Sequence, residues 1–570
     1  MKIHPLLLIF SFFILTIGIT AFVTRSSRLP ISRRAEQIMD CTPAGLSETG
    51  IGADGKFIRP LPGWGHHSYL ITTKKDSTQY YFNQGLTMYF SYQFGEARAS
   101  FKEAARFDPD CPMAYWGEAL SMGPPYNGAH LFKMRKGTGD VISAMNKNTA
   151  NGSLKEMMLT EVMNQRYSAD TLDVHRKELN TAYADGMKMM MKKYPEDLDI
   201  AALYVDAMML IHPWDFWNND GSPKPWTPEL VKICEHILQE QPLHPAALHY
   251  YIHLTEASRN PQVALASADI LKGLLPNVPH MVHMSSHEYE RNGVFAKGVS
   301  VNEIADQNIM LYDSLSKLFS GRHSSHYFAV QTWCAMSGNM YQKTMPLAFR
   351  CRNSVHPAYR ETDDQAKYSM PMMAYVRMGK WDEIIADSIL PDKEWPLANI
   401  LYNFSKGMAF ARKNKPEEAA KYLDRLRLFE QDPVLKVVDT PFNAPIKMAA
   451  IADKILAASI SFEQKKYEQS LSLLAEAISI EDSQIYSEPR DWLIPTRQYL
   501  GACLMQLKKP VDAERVYRED LQWNPGNGWS ALGLCQSLQA QGKEGEVSVY
   551  RKIYLESFSE ADVIPPASVY

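Results

Sequence analysis

His249, His253 and Glu256 recur 34 residues later as His283, His287 and Glu290, so the chain carries two copies of one His-x-x-x-His-x-x-Glu pattern. Spacings of four and three bring the three side chains of each copy onto one face of a helix. His280 adds another imidazole to the second face. Sixteen histidines are spread over 570 residues, yet the 39 residues from His249 to His287 hold five of them. Neutral imidazole suits zinc, copper, iron and nickel, and an added carboxylate extends the choice to manganese. Three histidines with a carboxylate could make a zinc site with an open position for an activated water. Two such helices side by side could instead hold two ions, for hydrolysis or oxygen chemistry, with Glu256 or Glu290 as general base if neither is a ligand. Without metal, the same residues would line a polar groove for an acidic peptide or protein. His323 and His326, in Gly321-Arg322-His323-Ser324-Ser325-His326-Tyr327, are candidates to complete the site.

Other chemistries lack local support. Ser286-His287-Glu288 does not have the His-Glu-x-x-His zincin spacing, and there is no Gly-x-Ser-x-Gly elbow, phosphate-cradling glycine loop or kinase motif set. His66-His67 reads as a surface loop, with a cap that folds back and offers ligands as the alternative. The run His212-Pro213-Trp214-Asp215-Phe216-Trp217 reads as a packed helix end, with a stacking subsite as the alternative. Met187, Met189, Met190 and Met191 read as core filling before a Cu(I) site.

The elements that must position these residues repeat. Thr78 to Cys111 places Gly85, Ala97, Phe101, Ala104 and Pro109 at positions 8, 20, 24, 27 and 32 of a 34-residue unit, and Gly501, Ala513, Tyr517 and Pro525 return in the same phase. Small residues at 8 and 20 let two helices approach, an aromatic at 24 fills the space between them, and proline at 32 stops the second helix. Gly407 and Ala419 mark a further unit, Ala458, Ser470, Leu474 and Ala477 another, and Ile252, Ala264, Ala268 and Pro276 a third. Turn clusters at 123–127 and 218–223 interrupt the period and are expected to project as loops. Alternating β-branched runs are scarce, so almost no sheet is expected.

This pattern resembles the tetratricopeptide (TPR) repeat from about residue 78 onward. The resemblance implies an all-α fold, a right-handed α-solenoid of TPR-like helix hairpins. It also implies that positions 2, 5, 9, 12 and 13 of each unit face a concave groove. Units beginning at Pro245 and Pro279 then send His249, His253, Glu256, His280, His283, His287, Glu290 and Arg291 into that groove. Tyr81-Phe82-Asn83-Gln84-Gly85-Leu86, Ala114-Tyr115-Trp116-Gly117, His249-Tyr250-Tyr251-Ile252-His253 and His283-Met284-Ser285-Ser286-His287 further resemble a group of exported bacterial TPR proteins. That group's last histidine pair reads His-Asn-x-His-Phe. Here serine replaces the asparagine and tyrosine the phenylalanine, which removes an amide that could orient a ligand.

The expected organisation is a signal or anchor over 1–34, an extension over 35–77, repeats with insertions over 78–243, histidine-rich repeats over 244–345, further repeats over 346–561 and a tail over 562–570. A repeat array grows in one dimension, so this length needs no second core. Lys2 followed by an uncharged apolar run from Pro5 to Val23 fits export through a cleaved signal or a membrane anchor. Net charge −4 leaves no electrostatic footprint for nucleic acid. Seven cysteines, an odd count spread without a Cys-x-x-Cys pair, argue against a disulfide framework and leave room for one distant oxidised pair. The function expected is a binding or scaffolding protein with a histidine-lined groove for a peptide or protein, with zinc, copper, iron or manganese as the candidate metals. The alternative is a metal-dependent hydrolase or oxidoreductase.

Overall fold

Proline stands in the first turn of many helices of the array, where its missing N–H costs nothing and its fixed φ favours helix: Pro112, Pro245, Pro279, Pro396, Pro416, Pro445 and Pro510 all lie there. The computed structural model describes residues 50–52, 54–170, 172–316, 323–438 and 442–570, without the side chains of 129–131. The 1–34 segment expected to be a signal or anchor lies outside them. Among the described residues the fold is all-α and no strand forms; one bridge joins Trp217 to Pro223. No described helix is long and apolar enough to cross a membrane.

Consecutive helices pair as hairpins. In the first, α1 (Asp76–Phe90) and α2 (Phe94–Phe107) close on the Phe101 ring. A Cβ added at Gly85 would stand 2.8 Å from that ring, and one at Gly117 of the next helix 2.3 Å away. Tyr517 plays the same part between Gly501 and Gly533, with would-be Cβ contacts of 2.4 and 2.3 Å. The spacing read from sequence is therefore the packing rule of the array: glycine opens a slot and the aromatic at position 24 fills it.

The central units follow as α3 (Pro245–Thr255), α4 (Pro279–Arg291), α5 (Phe295–Ser316) and α6 (Ser325–Ser337). The stretch from Pro279 to the start of α6 at Ser325 is longer than the 34-residue period, and the long α5 takes up part of the excess. The C-terminal repeats, which include α7 (Tyr467–Asp482) and α8 (Thr496–Gln506), pack back onto this centre. Arg291 donates to the Trp523 carbonyl at 3.1 Å, and the Trp529 indole N–H to the Ser337 carbonyl at 2.7 Å. Gly293 and Gly526 meet backbone to backbone: both have positive φ, and a Cβ at Gly293 would lie 1.9 Å from the Gly526 oxygen.

One sequence expectation changes. The 123–127 cluster does not project: Tyr126 is buried and its ring lies 5.0 Å from that of His253. The 562–570 tail is docked, with Ser568 hydrogen-bonded to the Tyr517 hydroxyl at 2.8 Å and to the Gln498 carbonyl at 2.9 Å. The six described cysteines are free thiols, all but Cys503 fully buried.

Because Phe101 holds two helix contacts at once, Phe101→Ala is expected to destabilise the N-terminal repeats by about 3–5 kcal/mol. Urea unfolding followed by near-UV circular dichroism checks this; an unchanged first transition would contradict the slot-and-filler rule.

Candidate metal centre

Three neighbouring inner helices bring six imidazoles together. His249 and His253 stand at positions 5 and 9 of α3, His280, His283 and His287 at positions 2, 5 and 9 of α4, and His326 at position 2 of α6. They sort into two triads built by one rule, positions 5 and 9 of one helix with position 2 of the next. His249, His253 and His280 form one triad and His283, His287 and His326 the other, with donor atoms in each within 4.8 Å of one another. Ring centroids are spaced 4.9, 4.9 and 6.3 Å in the first triad. In the second they are spaced 4.7, 4.9 and 6.3 Å. The triads abut, with His253 6.2 Å from His287 and His280 6.1 Å from His283. All six residues are buried.

The outer nitrogens fix the tautomers. His249 Nδ1 lies 2.6 Å from the Phe90 carbonyl oxygen, an obligate acceptor, so it carries the hydrogen and leaves the Nε2 lone pair free. His283 Nδ1 lies 2.6 Å from Asn302 Oδ1, and the Asn302 amide is oriented by its own donation to the Gly298 carbonyl at 2.9 Å. His253 Nδ1 donates to Glu256 Oε1 at 2.9 Å, and His287 Nδ1 to Glu256 Oε2 at 2.8 Å. One carboxylate thus orients one imidazole of each triad. Such outer partners are what fix and strengthen histidine ligands at metal sites.

The inner nitrogens face one another. His249 Nε2 and His280 Nε2 are 3.0 Å apart, as are His283 Nε2 and His287 Nε2. With both Nδ1 atoms protonated, the second pair would oppose two lone pairs unless a cation, a proton or a metal ion, lies between them. Two nitrogens about 2.0–2.1 Å from one ion at roughly tetrahedral or right angles lie about 2.9–3.4 Å apart. His253 Nε2 is buried without any hydrogen-bond partner. The donor set therefore fits an imidazole-binding transition metal in each triad.

Burial holds His249, His280, His283 and His326 well below the ordinary histidine range and His253 down to about 3. His287 is the exception. Burial opposes its charge, but the Glu488 and Glu256 carboxylates overcome this and raise it. Glu488 Oε2 reaches His287 Nδ1 at 2.8 Å from the loop between α7 and α8. Burial and the adjacent Glu256 push Glu488 up to about 7.

Not every candidate joins the centre. His323 is half exposed and bonded to Asp306 at 2.8 Å, away from both triads. Glu256 is a bridge with both oxygens engaged, a poor position for a general base. Glu290 belongs to neither triad; it faces a small cavity with Arg291, Trp333 and Arg490, and burial raises it to about 8. His67, expected in a surface loop, is tucked against Asp199 at 2.7 Å beside His244. His244 Nδ1 accepts from the Ala247 amide, so its Nε2 carries the hydrogen; this group reads as a clamp on the N-terminal extension.

Sequence reasoning missed three contributors. Asn302 occupies position 24 of its unit, where Phe101 and Tyr517 stand in theirs, and that mismatch was a usable signal. Tyr92, in the left-handed turn between α1 and α2, lies 4.5 Å from the His249 ring. Glu488, 201 positions from His287, carries no local signal.

No protein-family model matches the sequence, and no curated protein matches it. Among solved structures the chain is similar to the human IFIT1 dimer with m7Gppp-AAAA, at 12% identity over 86% of this chain and 92% of that one, TM-score 0.30. It is also similar to yeast Tom70, at 11% identity over 84% and 90%, TM-score 0.31. The P58(IPK) TPR domain aligns at 11% identity over 64% and 97%, TM-score 0.17. Scores this low bear on neither the shape of the array nor its ligand.

In the metal-free protein, His253 binds protons in the unfolded chain below about 6.5 but in the folded one only near about 3. Its contribution to stability is present above the first value and lost as pH falls toward the second. Glu488 and Glu290, raised above 4.5, act with the opposite sign, contributing below 4.5 and losing it as pH rises through about 7 to 8. Below pH 4.5 only the histidine contribution among these groups still changes. The urea midpoint is expected to fall between pH 4.5 and about pH 3.5, and less so in His253→Gln; equal falls in both proteins would contradict the assignment.

Proposed function

We propose that the protein is a metalloenzyme that holds two transition-metal ions side by side, one in each histidine triad, and uses them for redox chemistry on an organic substrate. The observation that carries this reading is the Glu256 bridge. By accepting from His253 Nδ1 and His287 Nδ1, it turns both Nε2 atoms inward, where the ions would sit, and His253 Nε2 has no hydrogen-bond partner there. Copper is the first choice: the triads are all imidazole, and copper leads the divalent series on such donors. Manganese, which favours oxygen ligands, fits less well, because Glu256 and Glu488 stand at the outer nitrogens. Bound copper would supply one-electron and dioxygen chemistry. The residues would orient the ions, exclude water and place Glu488 to hold a proton at Oε1, whose buried position has no partner.

An open peptide-binding groove, expected from the repeats, is the second reading. A peptide would have to displace Tyr92, Tyr126 and the loop carrying Glu488 from the histidine face, so protein partners are better placed on the outer helices. The apolar run from Pro5 to Val23 supports an exported location, periplasmic or anchored through the N-terminus.

Elemental analysis of the full chain, purified without a polyhistidine tag and reconstituted with copper, is expected to give two ions per chain. His253→Ala/His287→Ala should lose both, and Glu256→Gln should bind about 10–100-fold more weakly while keeping the stoichiometry. No stoichiometric metal after reconstitution with copper, zinc, iron or manganese would overturn the reading.

A further inference from the structure

Trp214 separates the first triad from a chamber of about 460 Å³. Its ring stacks on Tyr126 at 5.5 Å and meets His253 edge-on at 6.0 Å. Its backbone has φ +63°, a strained conformation for a bulky side chain, of the kind that collects at functional sites. The position therefore holds a large ring between the histidines and the chamber against a backbone preference.

The chamber's polar lining is one-sided. Trp214, Trp492, Tyr486 and Gln484 all line it, and Trp214 Nε1, Trp492 Nε1, the Tyr486 hydroxyl and Gln484 Nε2 are buried without a hydrogen-bond partner. Every one can donate a hydrogen bond, and no pure acceptor in the lining is left unpaired. The four acids along the wall are engaged elsewhere: Asp482 holds two Arg497 nitrogens at 2.7 Å, Asp215 pairs with Lys224 at 2.9 Å, Asp491 accepts from Asn443 at 2.8 Å, and Glu481 accepts from the Thr496 amide at 2.8 Å. Arg259 lies 3.4 Å over the Trp523 ring and donates to the Asn219 carbonyl, and it forms no ion pair among the described residues. Aromatic walls, unpaired donors and the Arg259 guanidinium, which has Asp482 and Asp220 in its surroundings but no carboxylate in ion-pair contact, suit a flat, acceptor-rich ligand that carries a carboxylate.

We propose that this chamber is the substrate site of the histidine centre and takes a planar aromatic acid, its ring against the Trp214 and Tyr486 wall and its carboxylate toward Arg259. The substrate role rests on the metalloenzyme reading; the binding does not need metal. Trp214, the shared wall, would carry the presence of the ligand to His253.

The test is a titration of the full, metal-free chain with 4-hydroxybenzoate, followed by tryptophan fluorescence and calorimetry, beside phenol and cyclohexanecarboxylate. Saturable binding is expected, at least tenfold tighter than for either analogue. Arg259→Gln, on a partly exposed side chain, should weaken it at least tenfold, and Gln484→Ala severalfold. In copper-loaded protein the same ligand should change the copper spectrum. No saturable binding, equal binding of the non-aromatic acid, or indifference to both substitutions would overturn the proposal, as would binding that leaves the copper spectrum unchanged. If the chain takes no copper, the metal-free titration still decides whether the chamber is an aromatic-acid site, so the two failures are separable.

Discussion

The arrangement depends on one carboxylate shared by two imidazoles. A buried carboxyl group costs several kcal/mol of desolvation unless its oxygens are satisfied, and Glu256, which caps α3, satisfies both by accepting from His253 of that helix and from His287 of the next. The cost of leaving either oxygen unmet ties the two repeats together at a fixed spacing. Arg291 reinforces the tie from α4, donating to the Glu256 carbonyl at 2.8 Å and the Ser258 carbonyl at 3.0 Å. The acid that holds the repeats in register also sets the tautomers of the histidines inside them.

Repetition then does for chemistry what it does for packing. A translation of 34 residues carries His249 and His253 onto His283 and His287, so each helix face needs only one more imidazole, supplied at position 2 of the next helix. The outer partners obey no such symmetry. A backbone carbonyl at Phe90, an amide at Asn302 and one bridging carboxylate meet the same requirement, an acceptor at Nδ1, with whatever the local surroundings offer. Position 24 illustrates the trade: where the repeat elsewhere places an aromatic filler, the unit starting at Pro279 places Asn302 and gives up a packing ring for an acceptor.

Closure of the groove changes what these groups do. Exposed, the histidines would titrate near their ordinary range. Here Tyr92, Tyr126, Tyr327 and the loop bearing Glu488 exclude water, and burial favours the neutral form of five of the six triad imidazoles, His287 being the exception. Neutral, desolvated nitrogens are ligands waiting for a cation, whereas protonated ones would repel it. The low dielectric that makes the orphaned His253 Nε2 costly in the metal-free chain would make its bond to an ion correspondingly strong.

The sequence alone determined the repeat period, the all-α character and the helix faces of His249, His253, Glu256, His280, His283 and His287, because helical periodicity and small-residue slots are local and recur. Only tertiary structure separated His326 from His323, since three residues apart on either side of a helix start send one ring into the centre and the other toward Asp306. Tertiary structure alone also brought in Glu488 and Tyr92 and turned the groove into a closed centre. Those contacts join residues far apart in the chain through packing of the C-terminal repeats onto α4, and no local spacing encodes a contact between chain segments that meet only when the whole array has folded.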